Sequence, residues 1–276
     1  MPQSLRFCWL LIFLISINSL SLAQQNQSSS LPGKFISDAS HVLGGTGHVL
    51  TSLLRWHGKD WAIFVSVLGG TFALSFLDEE VNEFFLRNHS KTADKLSDVG
   101  IKYGEPATVV ILTGSLYAVG LIAGSEWLRE SCVILSASLL PDGIIQTVTK
   151  KATGRARPHL GLGNHEFDPF RNQEAYYSFF SGHAMVAMTT SHTFAKRIDS
   201  APAKVVLYGL GGIAGLSRMY NEDHWLTDVV LGNALAIVSV NSVSKWLEAK
   251  KNEKGMGGLQ WRIIPAGRGV SLSVAW

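Results

Sequence analysis

Four short stretches hold the residues that could do chemistry: "KKATGRARP" (150–158), "FSGH" (180–183), "SR" (217–218) and "HWLTD" (224–228). They supply three fixed cations, Lys150, Arg157 and Arg218, with no acidic excess close by. Guanidinium forks and an ammonium group suit the oxygens of a dianion or trianion such as phosphate. Ser181 and Gly182 open a helix. Backbone N–H groups and the positive end of the helix dipole add to an anion site there, and glycine lets the anion approach closely. His224 and Asp228 stand four residues apart, on one face of a helical turn. The carboxylate can hold one imidazole N–H and leave the other nitrogen unprotonated and aimed at the anion. His183 is a second imidazole, suited to protonate a leaving alkoxide. Such a set suits phosphoryl transfer through a phosphohistidine, with no metal and no cofactor.

Taken together and in this order, the stretches resemble the three-part signature of the type 2 phosphatidic acid phosphatase (PAP2) superfamily. That superfamily also holds bacterial acid phosphatases and vanadium haloperoxidases. The first part is Lys150, six residues, then Arg157-Pro158; the last is Ser217-Arg218, five residues, His224, three residues, Asp228. The resemblance is close over residues 150–228 and loose over the flanking helices. It implies that Lys150, Arg157 and Arg218 bind phosphate beside Ser181 and Gly182. It further implies that His183 is the general acid, His224 the nucleophile and Asp228 the residue that orients it. One departure stands out: the family usually has proline before Ser-Gly-His, and this chain has Phe180. The change removes no phosphate donor and no acid, so it bears on substrate preference more than on activity.

These residues must be positioned by the apolar segments around them. Such segments run over residues 61–77, 107–124, 131–148, 184–195, 204–216 and 229–243. Most are too long for strands and carry the small-residue spacing of packed helices. They predict an all-α bundle of about six core helices. Successive helices of an up-down bundle alternate in direction, so the site residues meet at one end. The opposite end receives the solvated runs "AKRIDSAPAK" and "KWLEAKKNEK". In the tail, Val270, Leu272, Val274 and Trp276 alternate with Ser271, Ser273 and Ala275 after a "PAGRG" turn, which predicts a β-hairpin over 259–276.

Residues 1–23 have the charge, apolar stretch and small-residue ending of a secretory signal peptide. Residues 24–58 read as a polar leading segment and an N-terminal helix, and 59–250 as the phosphatase domain. Removal of the signal leaves one cysteine, Cys132, which can form no internal disulfide and reads as core. The 276 residues are 46% hydrophobic and only 16% charged, so the protein is heavily buried or partly membrane-embedded. A net charge of +3 without a basic tract argues against nucleic acid as a partner. The expected partner is a phosphorylated lipid, such as phosphatidate or a polyprenyl diphosphate, or a small phosphoester. The expected location is exported, in the periplasm or on the outward face of the envelope membrane, with an integral membrane form as the alternative. His159 and His165 read as loop residues and His192 as a helical-face residue without a partner. Gly209, Gly211 and Ala214 match a dinucleotide fingerprint but lie inside a helical run. Two other functions stay in view: a vanadate-dependent haloperoxidase using the same anion pocket, and a non-catalytic phosphate-binding envelope protein.

Overall fold

The structure, a computed structural model, describes residues 30–256, 260–266 and 269–275. The expected signal segment, 1–23, lies outside the described residues. Nine α-helices run along the described chain: α1 Leu31–Leu50, α2 Gly58–Leu74, α3 Asp78–Arg87, α4 Lys91–Gly104, α5 Pro106–Ile122, α6 Glu126–Thr153, α7 Gly182–Arg197, α8 Ala201–Tyr220 and α9 Leu226–Met256. Four of the six apolar segments lie within one of them; the first runs on through a short 3-10 turn, Ser75–Leu77, and the second ends two residues past α5. α1 falls within residues 24–58, where an N-terminal helix is expected, and α3 and α4 are additional, because their apolar residues are interrupted by charge. Strands β1 (Gln260–Ala266) and β2 (Gly269–Ala275) pair antiparallel, with Trp261 opposite Val274.

Helix boundaries follow local chemistry. α1 starts at Leu31, because the Ser30 hydroxyl accepts from Gly33 N–H and Pro32 fits the first turn. Ser125, Ser181 and Ser200 cap α6, α7 and α8 in the same way. α6 ends at Gly154, which adopts the left-handed conformation (φ 56°) and donates to Lys150 O at 3.0 Å. A Cβ there would lie 1.8 Å from Asp168 O, so only glycine lets the chain turn under the following loop.

α7 is the centre of the bundle. It packs against α4, α6, α8 and α9, while α1 lies along α6 and α4 along α8. The main core joins Tyr103, Leu112, Leu116, Cys132, Leu135, Met185 and Phe194, and it includes Phe180. Gly215 brings α8 against α9, where a Cβ would meet Val229 at 2.6 Å. His192 has two partners after all: its ring nitrogens face the Tyr208 hydroxyl at 2.8 Å and Asn241 Oδ1 at 3.2 Å, across α8 and α9.

The stretches Gly58–Arg87, Glu126–Thr153 and Leu226–Glu253 are long and apolar enough to cross a membrane. The pair Lys91–Gly104 and Pro106–Ile122, bent by 58°, is a further candidate. Pro141 and Asp142 do not interrupt α6, although in the sequence they argue against a span. The Asp142 carboxylate is fully buried and accepts from the Ser239 and Thr189 hydroxyls, so its polarity is met inside the bundle. Many apolar side chains on α2 face outward, among them Trp61, Phe64, Val65 and Phe72, as a helix solvated by lipid requires.

Candidate active site

One end of the bundle brings together all eight residues picked out by spacing. Lys150 sits in the last turn of α6. Ser181 caps α7 and Gly182 and His183 open it; Arg218 lies in the last turn of α8, and Asp228 in the first turn of α9. The Ser181 N–H donates to Asp228 O at 3.0 Å, which locks the α7 and α9 starts together. Lys150 lies within electrostatic reach of Arg157, Arg218 and Asp228. His183 is likewise within reach of Arg218, His224 and Lys150.

His224 is buried, and its Nδ1 faces Asp228 Oδ2 at 3.7 Å. That carboxylate is fixed from three other sides. Oδ2 accepts from the Ser178 hydroxyl at 2.5 Å and the Trp225 N–H at 3.0 Å, and Oδ1 accepts from Arg155 Nη1 at 2.6 Å. Burial holds the His224 imidazole down to about 4, with Asp228 opposing and Lys150 and Arg218 adding to the shift. Burial, then Arg218, His224 and Lys150, also bring His183 down to about 4. Both rings are therefore neutral at neutral pH, so His224 has a nitrogen lone pair available.

Of the two arginines Arg218 is buried and Arg157 partly buried, and neither is saturated. Arg157 Nη1 donates to Asp223 Oδ1 at 3.0 Å, and Arg218 Nη2 pairs with Asp223 Oδ2 at 2.5 Å. The Nε–H of each is buried without a hydrogen-bond partner among the described residues, as is His224 Nδ1. Buried N–H groups of charged side chains are costly to leave unpaired, and these two belong to guanidiniums that share the Asp223 carboxylate, which suits an anionic ligand. The cations are not free of acid, contrary to expectation: Asp223 stands directly between two of them.

Arg155 is the residue that spacing did not single out. All five of its N–H groups are engaged by protein atoms. Nη1 donates to Thr227 Oγ1 and Asp228 Oδ1, Nη2 to Asp78 Oδ2 and Asn164 O, and Nε to Asn164 O. Asp78, the first residue of α3, also accepts from the Thr227 N–H at 2.9 Å and the Thr227 hydroxyl at 2.7 Å. A buried chain, Asp78–Arg155–Asp228, thus stands behind His224. The signals were present: Arg155 lies in the same basic stretch as Arg157, and "DEE" at 78–80 follows an apolar run directly. His159 and His165 stay outside, against Glu222 O and the Ser75 hydroxyl. Among the described residues, no group of three or more His, Cys, Asp or Glu side chains could hold a metal ion.

Residues 131–252, which carry every one of these site residues except Asp78, match the PAP2 superfamily. No curated protein matches the chain. Two crystal structures are similar to it. One is the first transmembrane PAP2-type phosphatidylglycerolphosphate phosphatase from Bacillus subtilis, at a TM-score of 0.55 and 18% identity, over 70% of this chain and 98% of that one. The other is Aquifex aeolicus LpxE, at a TM-score of 0.51 and 16% identity, over 61% of this chain and 95% of that one. At these identities the likeness is one of fold.

Proposed function

Residues 131–252 belong to the PAP2 superfamily, and from that premise we propose that the protein is a membrane-embedded phosphatase acting through a phosphohistidine on His224. The observation that carries this reading is the convergence of unpaired, buried Arg157 Nε and Arg218 Nε beside two neutral imidazoles. Lys150, Arg157, Arg218 and the α7 N-terminus at Ser181-Gly182 hold the phosphoryl oxygens. Asp228 keeps Nδ1–H of His224 turned inward, so Nε2 attacks phosphorus as the ester P–O bond breaks. The bound dianion raises the otherwise neutral His183, so in the complex the ring takes up a proton, and as an imidazolium it gives that proton to the departing oxygen. It then takes one from the water that attacks the phosphohistidine, which returns His224 and releases inorganic phosphate.

The substrate class is a phosphorylated lipid, with a soluble phosphoester as the simpler assay substrate. The apolar spans support a lipid: the site lies at one end of helices long enough to cross a bilayer, where a headgroup meets protein. We place that end on the outward side of the envelope membrane, because the opposite end carries Lys245, Lys250 and Lys251. The deciding experiment is phosphate release by purified protein in detergent. His224→Ala should abolish it while the protein stays folded, and wild type should carry acid-labile phosphate on His224. Chelators should leave the rate unchanged and vanadate should inhibit. A variant with near wild-type turnover would sink the mechanism.

A further inference from the structure

The reading of the site as a phosphate clamp leaves Asp223 unexplained, and its position is unusual. A carboxylate next to a phosphate site repels the ligand, yet this one is built in. The Asp223 N–H donates to Arg218 O at 3.0 Å, and the residue before it, Glu222, is held in the left-handed region at φ 55°. Its own N–H donates to Met219 O at 3.1 Å, and its carbonyl accepts from the His159 N–H at 3.2 Å. A non-glycine residue in that conformation is costly and persists only where its surroundings enforce it. The turn places the Asp223 carboxylate across Arg157 and Arg218, one oxygen to each. It grips the outer N–H groups of both guanidiniums and leaves both Nε–H groups for the ligand.

The charge count follows. Lys150, Arg157 and Arg218 supply three positive charges, and Asp223 removes one where two of them meet; Glu174 Oε1, 4.0 Å from Arg157 Nη2, is exposed and screened by solvent, so it counts for little. We propose that Asp223 is a specificity-determining residue that fixes the two arginine forks and matches the clamp to the dianion of a phosphomonoester, against the more highly charged diphosphate. This rests on the phosphatase reading above and narrows its substrate class to monoesters. Asp223 makes no covalent bond and transfers no proton in this role.

The test is competition against p-nitrophenyl phosphate hydrolysis by orthophosphate and pyrophosphate, in mildly alkaline, low-salt buffer. Wild type, Asp223→Asn and Asp223→Glu are compared. Wild type should bind pyrophosphate no more tightly than orthophosphate. In Asp223→Asn the preference should move toward pyrophosphate by about tenfold, the effect of one unit charge at contact range in a partly screened site, and added salt should shrink the shift. Asp223→Glu keeps the charge and should keep the wild-type preference. A ratio that stays within about twofold of wild type in Asp223→Asn, or one that moves equally in Asp223→Glu, overturns the proposal. A wild-type protein that hydrolyses phosphate esters while the ratio fails to move refutes only the role of Asp223. A wild-type protein that releases no phosphate and binds neither anion refutes the phosphatase reading itself.

Discussion

Arg155 Nη1 lies 2.6 Å from Asp228 Oδ1, and both side chains are shut off from solvent. Arg155 is two residues from the clamp arginine Arg157, yet every one of its donors is turned away from the phosphate pocket and onto carboxylates, a hydroxyl and a carbonyl. Two arginines of one stretch thus have separate work. Arg157 keeps a buried Nε–H unpartnered beside Asp223, and Arg155 holds Asp228 Oδ1, which leaves Oδ2 toward His224. Its partner Asp78 comes from α3, outside the matched residues 131–252, so the family core is completed by a helix that precedes it.

A buried ion pair that loses one member leaves the other charge uncompensated, at a cost of about 3–5 kcal/mol. Asp78→Asn should destabilise the protein by an amount of that order, read as a shift in the denaturant or thermal unfolding midpoint in detergent. Because Asp78 touches no ligand, kcat should fall while KM for the phosphoester stays near wild type. An Asp78→Asn protein with unchanged unfolding and unchanged kcat would remove the chain behind His224 from the mechanism.

His183 and His224 should separate by leaving group. An alkyl ester expels a strongly basic alkoxide and needs a proton from His183, whereas p-nitrophenolate leaves without help. His183→Ala should lose about 100-fold to 10,000-fold on an alkyl phosphate and far less on p-nitrophenyl phosphate. His224→Ala should lose both alike. Equal losses in His183→Ala on the two substrates would deny it the role of acid.

The spacing of the sequence was enough to place eight residues at one end of one bundle, because helix periodicity and strict motif gaps are local properties. What it could not give lies in long-range contacts. Asp78 meets Arg155 across 77 positions and Ser178 meets Asp228 across 50, and no local pattern encodes either pairing. Asp223 stands beside His224 in the sequence, yet the three cations read as having no acidic excess close by, since only the turn at Glu222 folds it back onto Arg218. Pro141 and Asp142 in the middle of 131–148 argue against a span, yet α6 runs through both, buried among neighbouring helices.

The pH dependence of binding follows from His183, which burial and then Arg218, His224 and Lys150 bring down to about 4 in the ligand-free protein. A bound dianion adds negative charge beside the ring and raises it. The complex then holds more protons than the free protein, so binding strengthens as pH falls toward 4. Sulfate is the clean probe, because it stays a dianion through this range. Calorimetry in buffers of different ionisation enthalpy should register proton uptake by wild type and its loss in His183→Asn. The fold should respond with the opposite sign. His183 and His224 both have folded values below the unfolded 6.5, so their contribution is present above that pH and declines as pH falls toward about 4. No proton uptake on sulfate binding would contradict the environment drawn for His183.

Gly154 joins the two halves of the site, since Lys150 precedes it on α6 and Arg155 and Arg157 follow it. Its left-handed conformation alone costs about 1–2 kcal/mol for a residue with a side chain. The added Cβ would also fall 1.8 Å from Asp168 O, so the loop must move. That movement carries Arg155 and Arg157 with it, because the Asp168 N–H donates to Gly154 O at 2.8 Å and the Ala156 N–H to Glu166 O at 2.9 Å. Gly154→Ala should therefore cut kcat/KM by about tenfold or more and lower the unfolding midpoint; misplacement by about an ångström can cost more still. Gly143→Ala is the control on the same helix. A Cβ there meets nothing within 4 Å, so activity should stay at the wild-type level and helix propensity should favour it. Equal behaviour of the two variants would mean that the α6 terminus does not set the clamp.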